Sequence, residues 1–331
     1  MRVISYQEAL VEAMREELRR DERVLCLGQD IGIRGGPGGS TKGLFQEFGP
    51  DRIIDTPISE MAIAGAGVGA AMVGLRPVVE ITVAEFLPCC MTQLVHDAAN
   101  VWYHSMNETN APVTYRIKYG IGYFGEHSHC FESWFLHVPG IKIVMPSTPY
   151  DAKGLLKSAI RDNNPVLFFE HFQLYHHLKG EVPEEEYTIA LGKADIKRNG
   201  SDVTVVATGL MVHRALDAAK TLCEQGIDVE VIDPRTIAPL DKESILESVR
   251  KTGRLVVAHE ARTIGGPGAE ISAEVAEEAF WKLKAPVLRV GAPHFPNPYS
   301  QPLENAFVPG KERIMAAVHL CMQNQEGTRR Q

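Results

Sequence analysis

The feature that most constrains this chain is an alternation of continuously apolar runs with stretches of helical spacing. The runs fall at 24–27, 77–83, 112–117, 141–145 and 165–169, with helical patterns between them, notably at 87–106 and 149–161. A strand wetted on one face alternates apolar and polar residues, whereas a strand that is apolar throughout is covered on both faces. The pattern therefore predicts a mainly parallel sheet with helices on either side. Ahead of it, Ser5 to Glu8 spell an S-x-x-E capping box, and Ala9, Leu10, Ala13, Met14 and Leu18 recur at helical spacing. A helix is expected over 6–20.

The alternation stops at GEVPEEEYTIALGKADIKRNG (180–200), a polar stretch ending in Asn-Gly. It resumes with strands at 203–207, 229–232, 255–258 and 287–290. Helical patterns at 210–225, 240–251, 268–283 and from about 311 lie between and after them. The expectation is two three-layer α/β domains, at 1–186 and 201–325, joined by a linker at 187–200. A length of 331 residues suits two domains of roughly 150 each. With 44% hydrophobic and 23% charged residues, disordered, collagen-like and coiled-coil chains are excluded. A net charge of −8 argues against a nucleic-acid binder. The longest apolar run, Met61 to Leu75, has 15 residues and four glycines, too short for a bilayer. Six cysteines without a CxxC pair read as reduced, buried thiols of a cytosolic protein.

Several motifs invite a function and fail on inspection. Gly35-Gly36-Pro37-Gly38-Gly39-Ser40-Thr41-Lys42 lacks the Gly-Lys-Ser/Thr order of a phosphate-binding loop, so a flexible loop near a site is the better reading. Gly65 to Ala70 fits GxGxxA, but a turn-like segment precedes it and the next acid, Glu80, comes too early for a dinucleotide fold. A small-residue helix packed closely on a neighbour is the better reading. His127, His129 and Cys130 lie within four residues, yet no second ligand pair accompanies them. Glu60 stands at the mouth of the small-residue helix. It is either a carboxylate favoured by the helix dipole or one that faces a functional partner.

Longer segments resemble one family. FGPDRIIDTPISE (48–60), GLRPVVEI (74–81), the stretch from His127 to Val166, VPEEEYTIALGKA (182–194), DVEVIDPRTIAPLD (228–241) and SVRKTGRLVVAHE (248–260) are similar to beta chains of thiamin-diphosphate-dependent 2-oxo acid dehydrogenases. The pyruvate, branched-chain 2-oxo acid and acetoin enzymes belong to that group. The resemblance runs through nearly the whole chain in order. It implies a pyrimidine-binding domain followed by a transketolase C-terminal-type domain. It also implies an α2β2 heterotetramer with the cofactor between unlike chains and a lipoyl-carrying acyltransferase core. Separately, a start at Met1 with no transit peptide suggests a cytoplasmic setting. The alpha-type partner would hold the diphosphate and Mg2+ through a Gly-Asp-Gly motif, which this chain lacks.

The resemblance also assigns residues. Glu60 would hydrogen-bond N1′ of the aminopyrimidine and favour the tautomer that activates the thiazolium carbon. Phe86 would pack on the pyrimidine, although a core phenylalanine reads the same from spacing. Thr82 and Cys89 would line the cofactor. His127 would serve proton transfer or charge stabilisation near the substrate. Val113, Ala159, Ile160, Asp162 and Asn164 would hold a structural potassium ion, largely through backbone carbonyls. The chain departs from the family at Gln29, Cys89, Asn100, Ser105-Met106-Asn107-Glu108 and the IKYGIGYFGE loop after Arg116, changes expected near the substrate funnel. The leading expectation is oxidative decarboxylation of a 2-oxo acid, or acetoin cleavage, with transfer to lipoamide. The alternatives are a two-subunit carboligase or transketolase-like enzyme without a lipoyl partner, and a scaffold without catalysis.

Overall fold

The computed structural model describes residues 1–122 and 125–323. Its strands are β1 (Arg2–Ser5), β2 (Val24–Gln29), β3 (Ile53–Thr56), β4 (Arg76–Ile81), β5 (Thr114–Tyr119), β6 (Lys142–Val144), β7 (Val166–His171) and β8 (Lys179–Val182). They continue with β9 (Asp195–Arg198), β10 (Val203–Ala207), β11 (Val229–Asp233), β12 (Thr236–Ala238), β13 (Leu255–Arg262) and β14 (Leu288–Ala292). A seven-stranded sheet has the order β12-β6-β7-β5-β4-β2-β3, and a five-stranded sheet the order β14-β13-β10-β11-β9. In the first, β2, β4, β5 and β7 are parallel neighbours, and almost every residue on them is buried, as the apolar runs require.

The helices follow local chemistry. In Tyr6–Arg20 the capping box forms in full: Ser5 N–H donates to Glu8 at 2.7 Å, and Glu8 N–H donates to Ser5 Oγ at 3.1 Å. Pro149–Arg161 begins with proline in its first turn, and Thr148 accepts from the Asp151 N–H at 3.1 Å. These two helices pack on one another over the same sheet face.

Glu60–Met72 covers the other face. At Gly67 a Cβ would come within 2.5 Å of Val79 Cγ2 on β4, so the helix sits on the sheet more closely than any side chain allows. This is the close-packed small-residue helix expected from the sequence, and it carries no dinucleotide turn.

Four readings need correction. The helix expected over 87–106 is divided into a 3-10 segment, Ala84–Cys90, a π-helical turn, Thr92–Ala98, and a short α-helix, Ala99–His104. Pro88 inside the first segment has no N–H to continue an α-helical ladder. The glycine-rich loop at 35–42 is anchored rather than flexible. Ser40 and Thr41 are buried, Ser40 Oγ donates to Glu80 at 2.7 Å, and Thr41 Oγ1 to the Ile31 carbonyl at 2.6 Å. The polar stretch at 180–200 contains β9, which pairs antiparallel with β11 at the edge of the second sheet. Of the six free cysteines, Cys89 and Cys223 are exposed and only the other four are buried.

The two halves of the chain interlock. β12 comes late in the sequence yet closes the first sheet, antiparallel to β6. His171 Nε2 lies 2.7 Å from Glu260 Oε2, and the Ile121 N–H donates to Glu260 Oε1 at 2.5 Å. Burial pushes the Glu260 carboxyl up, but His171, the Ile121 N–H and Arg214 together hold it below the usual range.

Candidate active site

The carboxyl ends of β4 and β5 open toward one corner of the first sheet. Thr82 follows the last residue of β4, and the 3-10 segment Ala84–Cys90 turns back over the sheet from there, carrying Phe86 and Cys89. Glu60–Met72 packs against that segment and begins with Glu60. The short turn Gly125–His127, in the loop after β5, meets it from the other side. Phe86 and His127 touch edge to face, with ring centroids 5.6 Å apart and planes at 68°. Crevices outside the carboxyl ends of parallel strands are where such sheets place ligands.

Glu60 is half-buried, and among the described residues nothing hydrogen-bonds its carboxylate. Its charge reaches Cys90. Burial chiefly pushes that thiol up to about 12, with Cys89 and Glu60 adding to the shift. Glu60, Thr82, Phe86, Cys89 and His127 thus belong to one corner. An acid at the start of a helix that packs on the Phe86 segment, with an imidazole against that phenylalanine, fits the aminopyrimidine end of thiamin diphosphate. Nothing in the corner supplies a diphosphate or Mg2+ cradle, and among the described residues no group of three His, Cys, Asp or Glu side chains could hold a metal ion.

Sequence reasoning missed two neighbours. Glu85, directly before Phe86, accepts from the His129 N–H at 2.6 Å, and its Oε1 lies 2.5 Å from His129 Nδ1. From sequence alone His129 suggests only a metal ligand. Its ring instead stacks on Phe131 at 5.0 Å, and Phe131 on Trp134 at 4.0 Å. A cavity of about 460 Å³ opens beside this stack, lined also by Arg262, His294 and Phe295. Glu60, Phe86 and His127 do not line it.

Three of the departures from the family pattern, at Lys118, Asn100 and Ser105, have local explanations. Lys118 is buried and donates to Glu80 at 2.8 Å. Arg116 bridges Glu80 and Glu170, completing a neutral cluster of two acids and two bases. Burial pushes Glu80 up, but Lys118 and Arg116 prevail and hold it below the usual carboxylate range. Asn100 donates to the Val95 carbonyl, and the Ser105 hydroxyl closes its own turn against Thr109, so both bond locally. Tyr123 and Phe124 of the altered loop lie outside the described residues.

The five residues expected around potassium meet where Pro149–Arg161 ends beside β5. Arg76 Nη1 donates to the carbonyls of Ile160 at 3.0 Å and Asp162 at 2.9 Å. The Val113 carbonyl accepts from Val166 N–H at 2.9 Å, and Ala159 from Asp162 N–H at 3.2 Å. Each carbonyl keeps a second lone pair.

Fold and corner together define a class of two-domain proteins, and comparison with known proteins agrees. The chain matches the transketolase pyrimidine-binding domain over residues 2–177 and the transketolase C-terminal domain over 192–314. It is 46% identical to the 2-oxoisovalerate dehydrogenase beta subunit of Bacillus subtilis, covering 96% of this chain and 98% of that one. The beta subunit of acetoin:2,6-dichlorophenolindophenol oxidoreductase from Cupriavidus necator is 46% identical over 97% of this chain and 98% of the relative. The pyruvate dehydrogenase beta subunit of B. subtilis is 46% identical over 93% and 95%. A split-gene transketolase, solved as an inactive beta4 tetramer, shares the fold with a TM-score of 0.81 at 24% identity, over 97% of this chain and 99% of that one.

The chain belongs to the family of beta subunits of 2-oxo acid and acetoin dehydrogenases, which are thiamin-diphosphate-dependent oxidoreductases. Identity does not select a substrate, because relatives acting on three different ones stand equally near. Among the described residues no helix is long and apolar enough to cross a membrane.

Proposed function

We propose that this chain supplies the pyrimidine half of a thiamin diphosphate site, in an α2β2 enzyme that oxidatively decarboxylates a 2-oxo acid or cleaves acetoin. The acyl group passes to lipoamide on an acyltransferase core, and the setting is cytoplasmic. The observation that carries this reading is the convergence of Glu60, Phe86 and His127 on one corner. The functional division takes 1–186 as the cofactor domain and 201–325 as the assembly domain, with a connection over 187–200 that ends in β9 of the second sheet and with β12 returning to the first.

Bound cofactor supplies a nucleophilic carbon and an electron sink for decarboxylation. Glu60 would share a proton with the pyrimidine N1′ and so favour the productive tautomer. Phe86 would pack on the ring, and Thr82 and Cys89 would line it. His127, held against Phe86, gives or takes a proton at the substrate oxygen and stabilises charge there. The diphosphate and Mg2+ would be held by the alpha-type partner. The carbonyls of Val113, Ala159, Ile160, Asp162 and Asn164 would hold a potassium ion beside Arg76, which already donates to two of them.

The test is a substrate panel on the chain co-expressed with its alpha-type partner, with thiamin diphosphate and Mg2+. Reduction of an artificial electron acceptor is followed with pyruvate, branched-chain 2-oxo acids, 2-oxobutyrate and acetoin, and acyloins are assayed in the same wells. Acceptor reduction with one substrate class is expected. Acyloin without acceptor reduction, or silence across the panel, contradicts the dehydrogenase reading.

A further inference from the structure

We infer that the carboxyl-terminal domain positions the site histidine: Asn297 and Glu304 hold Ser128, and through it set His127 against Phe86. The inference rests on the role proposed for His127 and gives the second domain a part beyond assembly.

Ser128, the residue after His127, is 2% exposed. Its hydroxyl donates to Glu304 Oε1 at 2.9 Å, and its carbonyl accepts from Asn297 Nδ2 at 2.7 Å. Both partners come from the far end of the chain, 169 and 176 residues away. The Asn297 amide has one sensible orientation. Arg262 Nη2 donates to its Oδ1 at 2.7 Å, so its Nδ2 must face the Ser128 carbonyl. The same Arg262 nitrogen donates to the Phe295 carbonyl at 3.2 Å, tying the 295–297 loop to β13.

Glu304 supplies the stronger argument. It is 3% exposed, and among the described residues no lysine or arginine pairs with it. A buried carboxylate without a counter-ion is costly, and an apolar residue would fill the place at less cost. The hydrogen bond it makes with Ser128 is what the carboxylate adds.

The histidine segment is also held from other sides. Glu85 accepts from the His129 N–H at 2.6 Å, and the Ser128 N–H donates to the Gly125 carbonyl at 3.2 Å. Gly125 has φ +48°, and a Cβ there would lie 2.9 Å from Tyr299 Cα, so the second domain presses directly on this turn. His127 therefore stands between a clamp from its own domain, through Glu85, and one from the other, through Asn297 and Glu304. Misplacing a reacting group by about 1 Å can lower turnover by about a hundredfold, so such bracing bears on rate.

The experiment uses the co-expressed holoenzyme with its best substrate. Asn297→Ala and Ser128→Ala should each lower kcat about tenfold, the value of one lost positioning hydrogen bond. Thiamin diphosphate affinity should stay within about twofold. Glu304→Gln, which keeps an acceptor oxygen, should recover most of the loss seen in Glu304→Leu. Asn297 is only partly buried, so its variant tests the inference even where Glu304→Leu fails to fold. The decisive readout is the double mutant. In a His127→Ala background, Asn297→Ala should lower kcat no further, because it acts through His127. Additive losses, or an unchanged kcat in Asn297→Ala, overturn the inference. Full activity in His127→Ala alone overturns instead the role of His127 on which it rests.

Discussion

Replacing Gly67 by alanine probes the link between packing and the site. In a helix interior, Gly→Ala ordinarily stabilises by about 1 kcal/mol. Here the new Cβ would meet Val79 Cγ2 at 2.5 Å and Val113 Cγ2 at 3.4 Å. Val79 is fully buried at the centre of β4, and its branched side chain has little freedom to rotate away. Overpacking of this kind costs about 1–3 kcal/mol, which offsets or exceeds the propensity gain and leaves a net loss of up to about 2 kcal/mol. For a chain of this size that lowers Tm by up to about 3 °C. Gly69, on the same helix, has nothing within 4 Å of its would-be Cβ, so Gly69→Ala should raise Tm. The relief need not stay local, since Glu60 begins the same helix about 10 Å along its axis. Lifting the helix off β4 should therefore weaken thiamin diphosphate binding in Gly67→Ala, and Val79→Ala in the same chain should restore both. Thermal melts and cofactor titration read the outcome. A Gly67→Ala variant as stable as Gly69→Ala would refute the packing argument.

Three further predictions follow from the electrostatics and exposure. Burial pushes the Glu132 carboxyl up to about 7, so the folded state binds its proton more tightly than the unfolded chain does. Stability from this group is present below the ordinary carboxylate pKa and is lost as pH rises to 7, at most about 3 kcal/mol. Glu132→Gln should therefore be more stable than the parent at pH 8 and show no such advantage at pH 4.5, by denaturant melts; an equal difference at both pH values would contradict this. Thiol reagents should modify exposed Cys89 and Cys223 in the native chain and spare Cys26, Cys90, Cys130 and Cys321. Thiamin diphosphate in the assembled enzyme should slow modification of Cys89 but not of Cys223, by peptide mass mapping. If potassium binds beside Arg76, exchanging NaCl for KCl raises Tm; an unchanged Tm removes potassium from the account.

What the sequence made legible was local or periodic. The capping box at Ser5 and Glu8 set the first helix, Thr148 and Pro149 set another, and the continuous apolar runs marked the parallel strands β2, β4, β5 and β7. What it hid depended on distant partners. β12 has three residues and pairs with β6, more than 90 positions earlier, which no local pattern encodes. β9 reads as polar linker because an edge strand needs few apolar residues. Pro88 marked only the 3-10 segment at the start of the expected helix; the π-helical turn Thr92–Ala98 carried no sequence signal. At the site, Glu60, Phe86 and His127 were found through resemblance, and their juxtaposition needed the fold. Glu85, Asn297 and Glu304 carried no motif. Their roles appear only where hydrogen bonds across the chain show what each polar side chain faces.

The central claim is that Glu60 is the carboxylate that engages the cofactor. The most direct measurement is turnover of Glu60→Gln in the co-expressed α2β2 enzyme, with assembly verified by mass in solution. The account predicts intact assembly and a loss of about a hundredfold or more in acceptor reduction, the scale of a lost acid–base group. Turnover within about twofold of the parent, in a fully assembled enzyme, would contradict it.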